Sequence, residues 1–250
     1  MKKIVSILFI IIAFNTKAQD IHFTQFYMNP IYLNPALTGN FNGYWRFTGN
    51  QKSQWRSVSR PYNTFALSAE NKEELLLTGL YHAFNLYHDA AGDGNLRTIE
   101  MNLSNAYQCY LNSDSTHSVT AGLQLGFNHK SIDFSKLNFD TQFDGYQFDE
   151  NLATNEALTI QKYINLNLSI GAIYIYKPEK RKELIAGIGW FNLSQPKQSF
   201  LGNNAVKRDK RVVLHAKANY PLNYELDLQP GLFLQFQGKY KEILIGSNIK

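Results

Sequence analysis

Hydrophobic and polar side chains alternate along residues 97–111. The odd positions are mostly apolar, as at Met101 and Leu103, whereas the even positions carry polar residues. A period of two residues is typical of a strand with one apolar and one polar face. Turn-forming residues follow at 112–115, and the alternation resumes over 119–127. The two stretches therefore predict an antiparallel hairpin.

The same alternation recurs along most of the chain, and no segment has the pattern of an amphipathic helix. The turn after the longest stretch is expected at Lys177-Pro178-Glu179-Lys180. About ten strands are expected, and the fold class predicted is all-β, an antiparallel meander. Besides the first hairpin, the predicted strands are 44–50, 61–70, 75–87, 158–176, 183–192, 212–220, 224–236 and 239–249.

Alternation alone does not show which face meets water. A soluble barrel buries its apolar face, whereas a membrane barrel turns that face outward to lipid. The membrane interpretation is favoured because several strands exceed the ~9–11 residues needed to cross a bilayer and because long loops alternate with short turns. Aromatic residues also gather near strand ends, at Tyr174, Tyr176, Trp190, Phe191, Tyr220 and Tyr224. The pattern favours an outer-membrane barrel over a secreted soluble sandwich.

Residues 1–18 have the features of a secretory signal peptide. Lys2 and Lys3 precede an apolar run over 4–14, and a polar stretch then ends at the small residue Ala18. The apolar run is too short to cross a ~30 Å hydrocarbon core, which needs about 20 residues. We therefore expect export and cleavage after Ala18.

Composition and charge exclude several classes of function. With 44% hydrophobic and 18% charged residues, the chain can bury a core. The net charge of +5 includes three lysines of the predicted signal, so the exported chain is nearly balanced. Such a balance indicates no nucleic-acid partner. The single basic run, 207–211, is interpreted as a solvated turn.

The sequence offers no candidate for catalysis, a metal or a cofactor. Cys109 is the single cysteine and lies on the apolar face of its predicted strand. The six histidines form no pair at metal-ligand spacing. Gly187-Ile188-Gly189 lies within a strand, where it indicates close packing or a bend. We expect a protein that is not an enzyme and has no metal, no catalytic residue and no cofactor.

Residues 19–43 form a separate, aromatic-rich segment with two Asn-Pro steps. Pro30 and Pro35 lack a backbone donor and restrict the asparagines before them to extended geometry. An extended, irregular segment is therefore expected. Two interpretations stay open: it packs inside the barrel, or it is a docking surface for a partner. The docking anchors would be Phe23, Phe26, Tyr27, Tyr32 and Leu33.

The same segment resembles the opening of the PorP/SprF family, outer-membrane proteins of the type IX secretion and gliding machinery of the Bacteroidota. The resemblance rests on Asp20-x-x-Phe23-x-Gln25-Phe26, on Asn29-Pro30-x-Tyr32-x-Asn34-Pro35-Ala36 and on Gly39. Further matches follow in family order. They are Gln54-Trp55 with Tyr62 and Thr64, Asp89-Ala90-Ala91-Gly92, Gly122-Leu123-Gln124-x-Gly126, Lys136-Leu137-x-Phe139 with Gln142-Phe143-Asp144, and Asn192-Leu193-Ser194-x-Pro196.

Three regions are expected: a signal peptide at 1–18, the N-terminal motif segment at 19–43 and barrel strands over 44–250. The resemblance implies a non-enzymatic outer-membrane component of type IX secretion that assists export or surface attachment of large cell-surface proteins, such as gliding adhesins. The implied partners are outer-membrane lipid, other type IX secretion components, the cargo's C-terminal signal domain and a periplasmic peptidoglycan-binding protein. An outer-membrane pore for small solutes is the alternative function.

The C-terminus departs from the family pattern. Similar members are longer and finish in a strand that closes the barrel, whereas this chain ends at Lys250 without a terminal aromatic residue. We therefore expect the barrel to be incomplete at its C-terminus and interpret the chain as truncated.

Overall fold

The chain folds into one antiparallel sheet of ten strands in a computed structural model that describes residues 26–57, 60–73, 77–149, 151–154, 160–200 and 206–250. The predicted signal peptide lies outside the described residues. Each strand pairs with the next one along the chain. The strands are β1 (Trp45–Gln54), β2 (Tyr62–Asn71), β3 (Leu80–Ala91), β4 (Leu96–Tyr110), β5 (His117–Ser131), β6 (Lys162–Glu179), β7 (Lys182–Phe191), β8 (Arg211–Pro221), β9 (Asp227–Gln237) and β10 (Tyr240–Ile249).

The predicted all-β antiparallel meander is confirmed. Among the described residues, β1 and β10 each pair on one side only, so the sheet is an open barrel. One turn differs from its prediction, because β6 continues to Glu179 and only Lys180 and Arg181 join it to β7. The pairing shifts register between Tyr176 and Glu179. Pro178 lies in this irregular stretch, where a missing backbone donor is tolerated.

The apolar face of the sheet points outward. Leu103, Leu125 and Leu166 are 58%, 57% and 74% exposed. The polar residues between them, such as Asn102 and Gln124, are buried on the inner face. This is the reverse of a soluble barrel and the arrangement of a barrel whose outer surface contacts lipid.

Aromatic side chains near the strand ends follow this outward pattern with one exception. Tyr174, Tyr176, Trp190 and Tyr220 are exposed, as the sequence predicted for a lipid-facing surface. Phe191 also lies at the end of its strand, but its side chain is 4% exposed and packs inside. It immediately follows Trp190 in a strand, and consecutive side chains point to opposite faces.

The two ends of the sheet differ. At one end, the connections β2–β3, β4–β5, β6–β7 and β8–β9 are short, and we call it the short-turn end. The opposite end carries the long connections between Ser131 and Lys162 and between Phe191 and Arg211; we call it the long-loop end. The alternation of long loops with short turns expected from the sequence is therefore present.

The sequence predicted an extended N-terminal segment, but the described part of it, from residue 26 onward, contains three short helical turns. They are a 3₁₀ turn at Phe26–Met28, the helix α1 (Pro30–Leu33) and a 3₁₀ turn at Pro35–Leu37. Asn29 and Asn34 have the non-helical backbone expected before proline. Each proline, however, starts a turn, because the first helical residue needs no N–H donor. No helix in the described ranges is long and apolar enough to cross a membrane.

Replacing Leu125 with arginine is expected to weaken the barrel in a bilayer. Leu125 is opposite Leu103 and Leu168 on the outward face, and a cation at the bilayer midplane costs about 2–4 kcal/mol. The protein in lipid vesicles is titrated with urea, and the folded fraction at each step is read from its heat-modifiable gel mobility. The titration gives the free energy of unfolding. Ser113→Arg, in the exposed β4–β5 turn, is the matched control and should have no effect. Equal unfolding of the two variants would contradict the outward assignment.

Candidate functional site in the barrel interior

The N-terminal segment lies against the polar inner face of the sheet and is fixed there by Asn34. The Asn34 side-chain oxygen accepts a hydrogen bond from the Ala36 amide at 2.9 Å. Its amide nitrogen lies 3.1 Å from the Ala172 carbonyl oxygen and 3.0 Å from His215 Nε2. Because an amide nitrogen only donates, Nε2 accepts and the His215 ring is neutral in this arrangement. Asn34 thereby joins the segment to β6 and β8.

A row of small residues makes room for this segment. Ala106, Gly122, Gly171 and Gly189 lie directly opposite one another across β4, β5, β6 and β7, and we call them the glycine row. A Cβ atom on Gly122 would lie 2.5 Å from the Pro35 carbonyl carbon, and one on Gly171 would overlap the side chain of Asn34. The segment approaches the sheet this closely only because the row has almost no side chains.

A second anchor is the guanidinium of Arg211, a buried residue at the start of β8. It stacks between the rings of Tyr32 and Phe191, with its central carbon 4.0 Å and 4.1 Å from the two ring centres. Its Nη2 also donates to the Tyr32 carbonyl oxygen at 3.1 Å. The ring of Tyr32 meets that of Tyr87 edge-on at 5.4 Å, and the Tyr87 hydroxyl donates to Asn29 at 3.2 Å. Each such cation–π contact contributes about 0.5–2 kcal/mol.

The segment is fixed at its other end by a buried ion pair. Glu70, whose side chain is fully buried, accepts from Arg46 Nε at 2.5 Å and from Nη2 at 2.8 Å. It also accepts from the Gly39 amide at 3.3 Å. Removing one partner of a buried pair costs about 3–5 kcal/mol, because the other charge is left unpaired. β1, β2 and the end of the segment are held together at this point.

Near the long-loop end the inner face carries another ion pair. Arg208 donates to Glu100 at 3.0 Å, and both side chains are largely buried. Asn128 donates to the same carboxylate at 3.2 Å. The interpretation of 207–211 as a solvated turn is therefore wrong for Arg208 and Arg211. The lumen of a polar-in barrel supplies acceptors for such cations, and sequence position alone does not reveal them.

A cavity of about 490 Å³ lies at the short-turn end, between the segment and the inner face. Cations outnumber acids along its wall, and we call it the cationic mouth. Lys72 Nζ donates to the Phe41 carbonyl oxygen at 3.1 Å. Burial, together with the nearby charge of Lys177, lowers the pKa of Lys72. The charged lining includes Arg46, Lys72, Lys177, Lys180, Arg181 and Lys217 with the acids Glu183 and Asp227.

The five predicted docking anchors are found in different places. Tyr32 is held by the Arg211 stack, and Leu33 belongs to the hydrophobic cluster of the interior. Tyr27 is half-buried and lines the cationic mouth. Phe26 lies in the first 3₁₀ turn, but its side chain is outside the described part of the structure, as is all of Phe23. The interior position of Tyr32 and Leu33 favours packing over docking for these two residues.

The described ranges contain no group of three or more histidine, cysteine, aspartate or glutamate residues that could hold a metal ion. Cys109 is a free thiol on the outward face, as its place in the alternation predicted. The site is thus a packed polar interior with an open cationic end.

Gly122→Ala is expected to displace the N-terminal segment. The new methyl group would meet the backbone of Pro35 and Ala36, which cannot rotate away, and overpacking of this kind costs about 1–3 kcal/mol. Limited chymotrypsin digestion should then cleave within residues 26–43 while the barrel stays intact. Gly246→Ala is the control, because a Cβ atom there meets nothing within 4 Å. Equal resistance of the two variants would refute the role of the glycine row.

Residues 15–250 match the protein family described as type IX secretion system membrane protein PorP/SprF. Neither the curated proteins nor the solved structures contain a match to the chain. The matched range covers almost the whole sequence. The resemblance drawn from residues 20–39 is confirmed, and the chain belongs to the PorP/SprF family of type IX secretion system membrane proteins.

Proposed function

We propose that this protein is a non-enzymatic outer-membrane component of type IX secretion that assists the export or surface attachment of large cell-surface proteins. The observation that carries the proposal is the filled interior, where Asn34, Arg211 and Glu70 hold the N-terminal segment against the sheet. A filled interior leaves less room for small solutes to diffuse through the barrel. It therefore supports a role in docking a partner protein over a role as a pore.

The proposed location is the outer membrane, with the short-turn end toward the periplasm. The outward apolar face supports contact with lipid. In outer-membrane barrels the short turns face the periplasm and the longer loops face outside. The connection between Ser131 and Lys162 would then lie at the cell surface, and the cationic mouth would open to the periplasm.

The proposed partners are other type IX secretion components, the C-terminal signal domain of the cargo and a periplasmic peptidoglycan-binding protein. Phe23, Phe26 and Tyr27 are the proposed aromatic anchors, because they precede the tightly held part of the segment. Tyr32 and Leu33 would support docking indirectly by fixing that part inside the barrel.

Removal of the gene is expected to reduce surface-protein levels, and the wild-type chain should restore them. The purified chain in planar bilayers should give no steady single-channel current, since the segment fills the lumen. Steady current together with normal surface-protein levels after gene removal would favour a small-solute pore. The control is removal of the gene for another outer-membrane barrel that is unrelated to secretion. It shows whether a general loss of envelope integrity lowers surface-protein levels.

Aspartate substitutions at Tyr27 and Tyr32 should have different effects. Tyr32→Asp removes the ring that stacks on Arg211 and packs against Phe191 and Tyr87, so the folded amount should fall first. Tyr27→Asp changes a half-buried side chain at the cationic mouth and should reduce surface export with little loss of folded protein. Loss of an interface anchor commonly costs about 2 kcal/mol or more. Heat-modifiable gel mobility and surface-adhesin levels measure the two effects, and parallel losses for Tyr27→Asp would refute a docking role.

A further inference from the structure

The cationic mouth contains positive charges that the fold itself does not use. Lys177, Lys180 and Lys217 line the cavity, are exposed, and form no ion pair within the described part of the chain. By contrast, Arg46 and Arg181, on the same wall, are paired with Glu70 and Asp227. The unpaired lysines are therefore available for an anionic ligand.

These lysines belong to two separate parts of the cavity wall. Lys177 is near the end of β6, Lys180 is in the turn after it, and Lys217 is on the inner face of β8. Charges distributed in this way suit a ligand with several separated negative groups. A single phosphate is usually held by donors that converge on one point, such as a helix N-terminus or an arginine fork.

The wall of the cavity also includes buried apolar side chains, which we call its floor. They are Leu33, Leu37, Ile175 and Ile185, and all four belong to the hydrophobic cluster of the interior. Pockets that combine an apolar floor with a few polar groups bind ligands that have both kinds of group. A peptide with acidic and apolar side chains meets both requirements, since its backbone spaces the carboxylates while its apolar residues reach the floor.

From this arrangement we propose that the cationic mouth binds an acidic peptide segment of a partner protein. Lys177, Lys180 and Lys217 receive its carboxylates, and its apolar side chains contact the floor formed by Leu33 and Ile185. That the partner lies in the periplasm rests on the proposed function, because the orientation of the barrel comes from it. The binding chemistry itself does not depend on that orientation.

The test uses the full chain in detergent micelles and a fluorescein-labelled peptide of alternating glutamate and leucine. A glutamine–leucine peptide of equal length is the neutral probe. The variant Lys177→Glu with Lys217→Glu reverses two charges of the mouth. Its matched control, Lys239→Glu with Lys241→Glu, reverses two exposed charges at the long-loop end. Heat-modifiable gel mobility confirms that both variants are folded.

We expect the acidic peptide to bind more tightly than the neutral one, and more weakly at high salt. Its affinity should fall about tenfold, equivalent to about 1.4 kcal/mol, in the mouth variant and stay unchanged in the control. Equal affinity in both variants, or equal binding of the neutral peptide, would overturn the proposal. Full competition by inorganic phosphate or by vesicles of anionic phospholipid would also overturn it, in favour of those ligands.

A separate readout distinguishes this proposal from the proposed function. If removal of the gene leaves surface export intact, the proposed function fails whatever the peptide result. If export depends on the chain but the acidic peptide does not bind, only the peptide site is refuted. Reduced surface export by the folded Lys177→Glu, Lys217→Glu variant would support both.

Discussion

The constraint on which the rest of the structure depends is that the polar inner face of the sheet must find partners inside the barrel. With the apolar face turned outward, polar side chains of most strands are buried in the same interior. A buried polar group without a hydrogen bond costs free energy. The N-terminal segment supplies many of the partners, through Asn34, the Tyr32 carbonyl and the Gly39 amide. The segment is therefore a part of the barrel core and not an appendage to it.

The glycine row gives the N-terminal segment both the space to approach the sheet and access to hydrogen-bonding groups on its inner face. The polar inner face would normally carry side chains at every second position, and these would keep a second layer of backbone away. Gly122, Gly171 and Gly189 are opposite one another in register, so the side chains are missing along one line across three strands. Backbone carbonyls and the amide of Asn34 can then meet at hydrogen-bonding distance. A chain lacking this line would leave the Asn-Pro steps no place to lie.

The strands were predictable because alternation depends only on local sequence, and the ten predicted segments match the ten observed. The site was less predictable, because its contacts join residues far apart in the chain, such as Asn34 with His215 and Arg211 with Tyr32. The glycine row illustrates the difference: Gly189 was recognised as a close-packing position, but its alignment with Gly122 and Gly171 follows from strand register, which single-strand patterns do not fix. The helical turns were missed because proline both restricts the residue before it and starts a helix.

The two ends of the barrel differ in whether their interior charges are paired. The difference follows from where the N-terminal segment stops filling the lumen. Toward the long-loop end, Arg208 is paired with Glu100. Arg211 is stacked between Tyr32 and Phe191, so both interior cations have partners. At the opposite end the segment leaves the lumen beside the Arg46–Glu70 pair. Lysines there line an open cavity in which cations outnumber acids. Uncompensated charge is costly in a packed interior and tolerable only where water or a ligand can reach it. Paired cations at one end and an open cationic cavity at the other are the features from which docking at the cationic mouth is proposed.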